Sequence, residues 1–265
     1  MSFGLCEAGF NVLAVGHIDS DVPFVLGEAR ERGFGDRFVA SVADLRRPPD
    51  CDRVVEEAID RFGAVDVLVN NAALTFTYIW PDRYRRTAKA KPWEAGDEIV
   101  QTVMDTNYVA ADQMARRCVP MMVERGWGRL INVTTNLATM NDADSSAYGA
   151  SKAALEMATE SWAKSLAGTG VTANILNPGF GANTDGIAAE IRDMSRRGEI
   201  QPLVEPQDMV APLQWLVSSQ ADCVNGFRFD ANAWDRRLAP GEAAGRAARR
   251  AGFLLQPAED PLQAM

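Results

Sequence analysis

The stretch LINVTTNLATMNDADSSAYGASKAAL, residues 130–155, decides how this chain is read. Its apolar opening, within Gly128 to Thr134, suits a strand covered on both faces, and a helix is expected from about Ser146 to Gly168. Tyr148 and Lys152 stand four residues apart and so share one face of that helix, aiming a phenol and an ammonium into one cleft. A phenol of pKa about 10 is a poor acid or base at neutrality, and a neighbouring cation brings its phenolate closer to working range. On spacing alone the pair reads equally well as a helix start with a surface lysine. Composition adds weight: the chain has four lysines, at 89, 91, 152 and 164, while the other 23 basic residues are arginine.

Working outward, short apolar runs recur at Asn11–Gly16, Arg37–Val42, Asp66–Asn70, Val171–Leu176 and Gly226–Asp230. Between them lie helical patterns: one ending at Gly9, one capped by Asp19 and Ser20, one opened by Pro48 and Pro49 and closed by Gly63, and one from Asp97 to Arg125. The last of these predicts a kink at Pro120. Further helices are expected near 186–197 and 206–219. Alternation of strand and helix predicts an α/β fold, a doubly wound parallel sheet with helices on both faces. Residues 1–234 form one domain in this reading, and residues 235–265, rich in Ala, Arg, Gly and Pro, a peripheral arm or tail. A long connection, Ala72 to Pro92, carries Phe76, Tyr78, Ile79, Trp80 and Tyr84 among basic residues and reads either as a functional loop or as aromatics packing locally.

A length of 265 residues and 47% hydrophobic composition suffice for a large core, and a net charge of -9 argues against nucleic acid or an anionic membrane as partner. No apolar run reaches spanning length, so a cytoplasmic protein is expected. The four cysteines are scattered and His17 is the sole histidine, which speaks against structural zinc, a disulfide framework or a histidine triad, and no metal is expected.

Ligands of open parallel sheets sit beyond the carboxyl ends of the strands, and those positions here are polar or glycine. Asp44, Asn70-Asn71-Ala72-Ala73, Asn107, Thr135, Tyr148-x-x-x-Lys152 and Pro178-Gly179 follow one another in an order that resembles a classical short-chain dehydrogenase/reductase, from about residue 3 to residue 234. The resemblance implies a Rossmann-like sheet and hydride transfer between NAD or NADP and a small carbonyl compound or secondary alcohol. It assigns Tyr148 as acid/base, and Lys152 as its electrostatic partner and ribose ligand. Asn107 would sustain a water relay, and Asp44 with Leu45 would flank the adenine. Asn71 would lie by the adenine ribose, and Pro178 and Gly179 beside the nicotinamide. It also implies a homotetramer or homodimer built on the helices holding Met114 and Leu155.

Three departures from the family pattern matter. The catalytic serine is replaced by Thr135, whose hydroxyl still donates but whose methyl crowds the site. Ser145 and Ser146 read as helix caps. The first strand and the Gly-rich phosphate-binding turn are not in the sequence, leaving the fold N-terminally incomplete. Either an upstream segment supplies them, the reading preferred, or the cofactor binds weakly or not at all. Cofactor choice leans weakly to NADP, because Gly16 would not repel a 2'-phosphate and His17 either contacts it or merely faces solvent, while Asp19 and Asp21 nearby would disfavour one. The segment Phe180 to Ile200 and the aromatic loop would close over the substrate. The rival reading is a non-catalytic oligomeric or regulatory protein of the same fold.

Overall fold

The computed structural model describes residues 1–184 and 187–253. Two parallel strands, β1 (Val12–Gly16) and β2 (Phe38–Val42), form one small sheet, paired from Val12 with Phe38 to Gly16 with Val42. Five more form a second, in the order β3 (Val67–Asn70), β4 (Gly128–Val133), β5 (Val171–Asn177), β6 (Phe227–Asp230) and β7 (Ala248–Arg250). All neighbours are parallel except β7, which runs antiparallel to β6. The mostly parallel, helix-covered sheet agrees with the expected fold class.

Helices α1 (Ser2–Glu7), α2 (Val22–Glu31), α3 (Pro48–Phe62), α4 (Phe76–Ile79), α5 (Asp97–Met104), α6 (Ala110–Arg125), α7 (Leu137–Met140) and α8 (Ser146–Ser165) precede β5. After it come α9 (Ala189–Arg196), α10 (Val210–Leu216) and α11 (Pro240–Ala247). Local sequence explains the bounds of α3. Two prolines fit its first turn, and Gly63 at φ +82° ends it in the left-handed form that only glycine adopts cheaply. Cys51, Val54, Val55 and Ala58 turn its buried stripe against α6 and β4, and each full-sized apolar side chain so covered contributes roughly 1.5–3 kcal/mol.

The core lies in two layers either side of the sheet. One joins α1, α10 and α11 to Ile131, Leu176 and Phe229, and the other joins α3 and α6 to Leu130, Val171 and Ala173. Between β1 and β3 no strand lies among the described residues. A cavity of about 980 Å³ occupies that place, lined by Met1, Leu5, Leu13, Val15, Leu68 and Val69 among others. Its effect shows in the burial. β4 and β5 are buried at every position, whereas all four residues of β3 and the apolar Leu13, Ala14 and Val15 of β1 are only half-buried. Apolar composition alone suits both runs to buried strands, yet each has one edge and part of its side chains facing the gap.

Two other details differ from the sequence reading. The long helix from Asp97 is interrupted by a π-helical turn at Asp105–Val109 that the sequence reading did not foresee, and α6 continues through Pro120. In the expected arm, α11 buries Ala243, Ala244 and Ala247 and β7 extends the sheet, while residues 254–265 lie outside the described residues, as do 185 and 186.

Candidate active site

The chain enters α8 through a tight bend, with Ser146 held at φ +46°, a conformation uncommon for a residue with a side chain. Ser145 occupies the cap position, but its hydroxyl donates to the Thr139 carbonyl at 2.6 Å rather than accepting from the helix, because α7 passes close by. The same closeness requires Gly149, where a Cβ would stand 2.2 Å from the Met140 carbonyl oxygen. From this start, Tyr148 and Lys152 stand one turn apart on α8, and Lys152 reaches the carboxyl end of β4.

Lys152 is 2% exposed, and its ammonium donates to the Val133 carbonyl at 2.7 Å. Burial lowers its pKa to about 8, since the charged form loses solvation. Tyr148 is half-buried, and the Phe76 ring lies over it at 4.4 Å between centroids. The Arg83 guanidinium also lies over the Phe76 ring, at 4.1 Å from its centroid, and pairs with Asp144 at 2.8 Å. Trp80 donates to the Asp144 carbonyl at 3.2 Å, and Ile79 and Trp80 are buried with Ala90, Val103 and Ala147. Phe76, Ile79 and Trp80 of the aromatic connection are therefore packed against the start of α8, while Tyr78 and residues 85–89 are exposed.

Asn107 sits on the π-helical turn and is 1% exposed. Its carboxamide accepts from the Leu74 amide at 2.7 Å and donates to the Leu74 carbonyl at 2.9 Å and to the Ser151 hydroxyl at 3.0 Å. The Ser151 hydroxyl in turn donates to the Tyr148 carbonyl at 2.8 Å, so Asn107 reaches α8 beside Lys152 through Ser151. The wider turn admits one extra residue per turn, which swings Asn107 inward where a regular helix would not hold both contacts.

Thr135 follows β4 and is 8% exposed. Asn136 next to it caps α7, accepting from the Thr139 amide at 2.7 Å, and donates to the Gly179 carbonyl at 2.5 Å. Gly179 at φ +87° forms the turn after β5, its amide donating to the Asn177 side chain at 2.6 Å. No larger residue fits, because a Cβ would lie 1.9 Å from Asn232 Oδ1. Thr135, Tyr148, Lys152, Asn107, Pro178 and Gly179 are thus brought to one end of the sheet.

The other expected residues gather at the far side. His17, Asp44, Leu45 and Asn71 line the mouth of the cavity between the two sheets, with Gly16 opening on free space. Asp44 is taken up by Arg46, whose guanidinium donates to it at 2.6 and 2.8 Å and holds its carboxyl below the usual range. Arg46 and Arg47 line the same mouth and were not singled out from the sequence, although an arginine pair directly after Asp44-Leu45 was there to be read. Asn136 and Ser151 were also missed, each adjacent to a residue that was named.

These groups fit a dinucleotide at its two ends: a buried ammonium and a glycine turn at one, and arginines, an accepting carboxylate and amides at the other. Between them the described residues contain no cradle of backbone amides for a diphosphate. The profile of the short chain dehydrogenase family matches residues 1–195. Ketoacyl reductase HetN of a Nostoc species is 31% identical over 57% of this chain and 48% of its own length, so the match spans about half of that protein. The 3-oxoacyl-[acyl-carrier-protein] reductase FabG of Staphylococcus epidermidis is 27% identical over 86% of this chain and 89% of its own. Among solved structures, a variant of actinorhodin polyketide ketoreductase with NADPH superposes with a TM-score of 0.71 at 24% identity, covering 84% of this chain and 87% of that one. The family profile covers well over half of the chain, and the chain belongs to the short chain dehydrogenase family, the nicotinamide-dependent oxidoreductases.

Proposed function

We propose that the protein transfers a hydride between a nicotinamide cofactor and a small carbonyl compound or secondary alcohol, with Tyr148 as the acid/base. The single observation that carries this is the pairing of Tyr148 and Lys152 on one face of α8, with Lys152 buried against β4 beside Thr135. When bound, the cofactor supplies or accepts the hydride. Hydride arrival at carbon leaves charge on the substrate oxygen, which a positioned donor must meet. Tyr148 passes a proton to that oxygen, and the Thr135 hydroxyl donates a second hydrogen bond to it. Lys152 would hold the nicotinamide ribose hydroxyls and favour the phenolate of Tyr148, Asn107 and Ser151 would keep the helix start in place, and Pro178 and Gly179 would border the nicotinamide. Asp44, Leu45 and Asn71 would take the adenosine end.

NADP is the better candidate, since Arg47 at the cavity mouth, with Arg46 beside it on Asp44, offers positive charge to a 2'-phosphate, and the His17 ring lines the same mouth. The named activities of the relatives, ketoacyl, 3-oxoacyl and acetoacetyl-CoA reduction, support a keto substrate. Phe76 over Tyr148 would contact it. A cytoplasmic homo-oligomer acting on such a small molecule, without a nucleic-acid or membrane partner, completes the reading.

The test pairs binding with turnover. NADPH should raise the melting temperature of the purified protein, because a ligand that binds only the native state stabilises it. Tyr148→Phe should keep that rise while lowering reduction of short 3-oxoacyl thioesters by about 10²–10⁴-fold. Absence of any rise with NADH and NADPH would overturn the enzyme reading in favour of a non-catalytic relative. Loss of binding and turnover together in Tyr148→Phe would overturn the role given to that residue.

A further inference from the structure

Behind the site lies a buried polar relay that the reaction as described does not use. Glu156 is fully buried on α8, one turn beyond Lys152 on the face that carries Tyr148. A carboxylate is costly there unless paired and hydrogen-bonded. Three groups meet it: the Thr134 hydroxyl at 3.0 Å, the Arg228 guanidinium at 3.1 Å, and a backbone hydrogen bond from Gly252 beyond β7. Arg228, on β6, uses the other arm of its fork to donate to the Thr135 carbonyl and to Asp230, both at 3.2 Å. Asp230 accepts from the Asn177 side chain, and Asn177 in turn accepts from the Gly179 amide.

We propose that the Glu156–Arg228 pair is the positioning element of the site, fixing the Thr135 backbone relative to the Gly179 turn through one guanidinium. The proposal rests on the reading of Thr135 and Gly179 as the residues beside the substrate oxygen and the nicotinamide. Three features favour positioning over mere core filling. The relay ends at Thr135 and Gly179, the residues that terminate two neighbouring strands at the reacting end. Backbone pairing of β6 with β5 and β7 would hold the strand in place with any side chain at 228. A planar fork grips three acceptors in fixed relation, which a point charge or an apolar residue cannot do.

Amide hydrogen exchange on the protein without cofactor decides this independently of activity. The variants are Arg228→Lys and the double apolar replacement Glu156→Leu with Arg228→Met, which removes the two buried charges together and leaves the part-exposed Asp230 with the Asn177 side chain as its partner. In both, exchange at Thr135, Asn136 and Gly179 should accelerate at least about tenfold, with residues 129–132 and 155–163 unchanged. With NADPH and a keto substrate, kcat should fall about tenfold and KM should stay within about twofold. Lysine should fail to rescue, because it keeps the charge and loses the fork. Unchanged local exchange in the double variant, or wild-type behaviour of Arg228→Lys, would overturn the proposal. Uniform acceleration across α8 and β4 would do the same, showing a purely structural pair. If the wild type turns nothing over, the functional reading fails while the exchange pattern still decides this one.

Discussion

At the scale of the residue, Lys152 couples chemistry to stability. Its folded pKa of about 8 lies below the ordinary value of 10.5, so below pH 8 both folded and unfolded chains carry the proton and the folded state bears the full cost of a buried charge. Between about pH 8 and 10.5 the folded chain releases that proton while the unfolded chain keeps it, and stability rises with pH. Relative to Lys152→Met, the wild type should therefore gain on the order of 3 kcal/mol from pH 7 to pH 10.5, measured by urea unfolding of both proteins at each pH. Parallel pH profiles for the two would refute the assigned cause. Tyr148 and Lys152 stand out in the sequence only together with the ordered motifs around them, and Gly179 through the Pro-Gly turn after a strand. Arg228 could not, since the Thr135 carbonyl it holds lies 93 residues away and no local pattern marks the contact.

At the scale of the element, the π-helical turn between α5 and α6 acts as an offset that brings one carboxamide across to both Leu74 and Ser151. Asn107→Ala would leave the Leu74 amide and carbonyl without these partners, and each buried orphan costs about 1–3 kcal/mol. A loss of at least about 2 kcal/mol in denaturant midpoint analysis is expected, with turnover reduced further because Ser151 loses its tie to the helix opposite. A change under about 0.5 kcal/mol would show that the turn, not the side chain, holds the join. Helical periodicity located this whole region from Asp97 to Arg125, yet it placed the irregularity at Pro120. Periodicity averages over several turns and cannot register a single inserted residue, whereas proline is conspicuous and was tolerated. The aromatic connection shows a similar limit: composition marked it, but only packing places Phe76 on Tyr148 and Trp80 beneath the surface.

At the scale of the whole molecule, the sheet is divided. A mostly parallel, helix-covered sheet was legible from alternation, but the order of the strands and the antiparallel β7 were not. The cost of the gap in burial was not legible, since a run such as Val67 to Asn70 looks equally apolar whether its neighbour is present or not. Hydrogen exchange should register the division: amides of Val12–Gly16 and Val67–Asn70 that face the cavity should exchange at least about a hundredfold faster than those of Leu130–Val133 and Thr172–Leu176. Equal protection in both groups would mean that the gap closes in solution. The divided sheet also bears on colloidal behaviour. Two unpaired strand edges, flanking an apolar trough, form a template for extended segments of other molecules. Recovery of dispersed protein should then depend on concentration during refolding more steeply than fold stability alone would dictate, with losses arising from cross-chain pairing and not from unfolding.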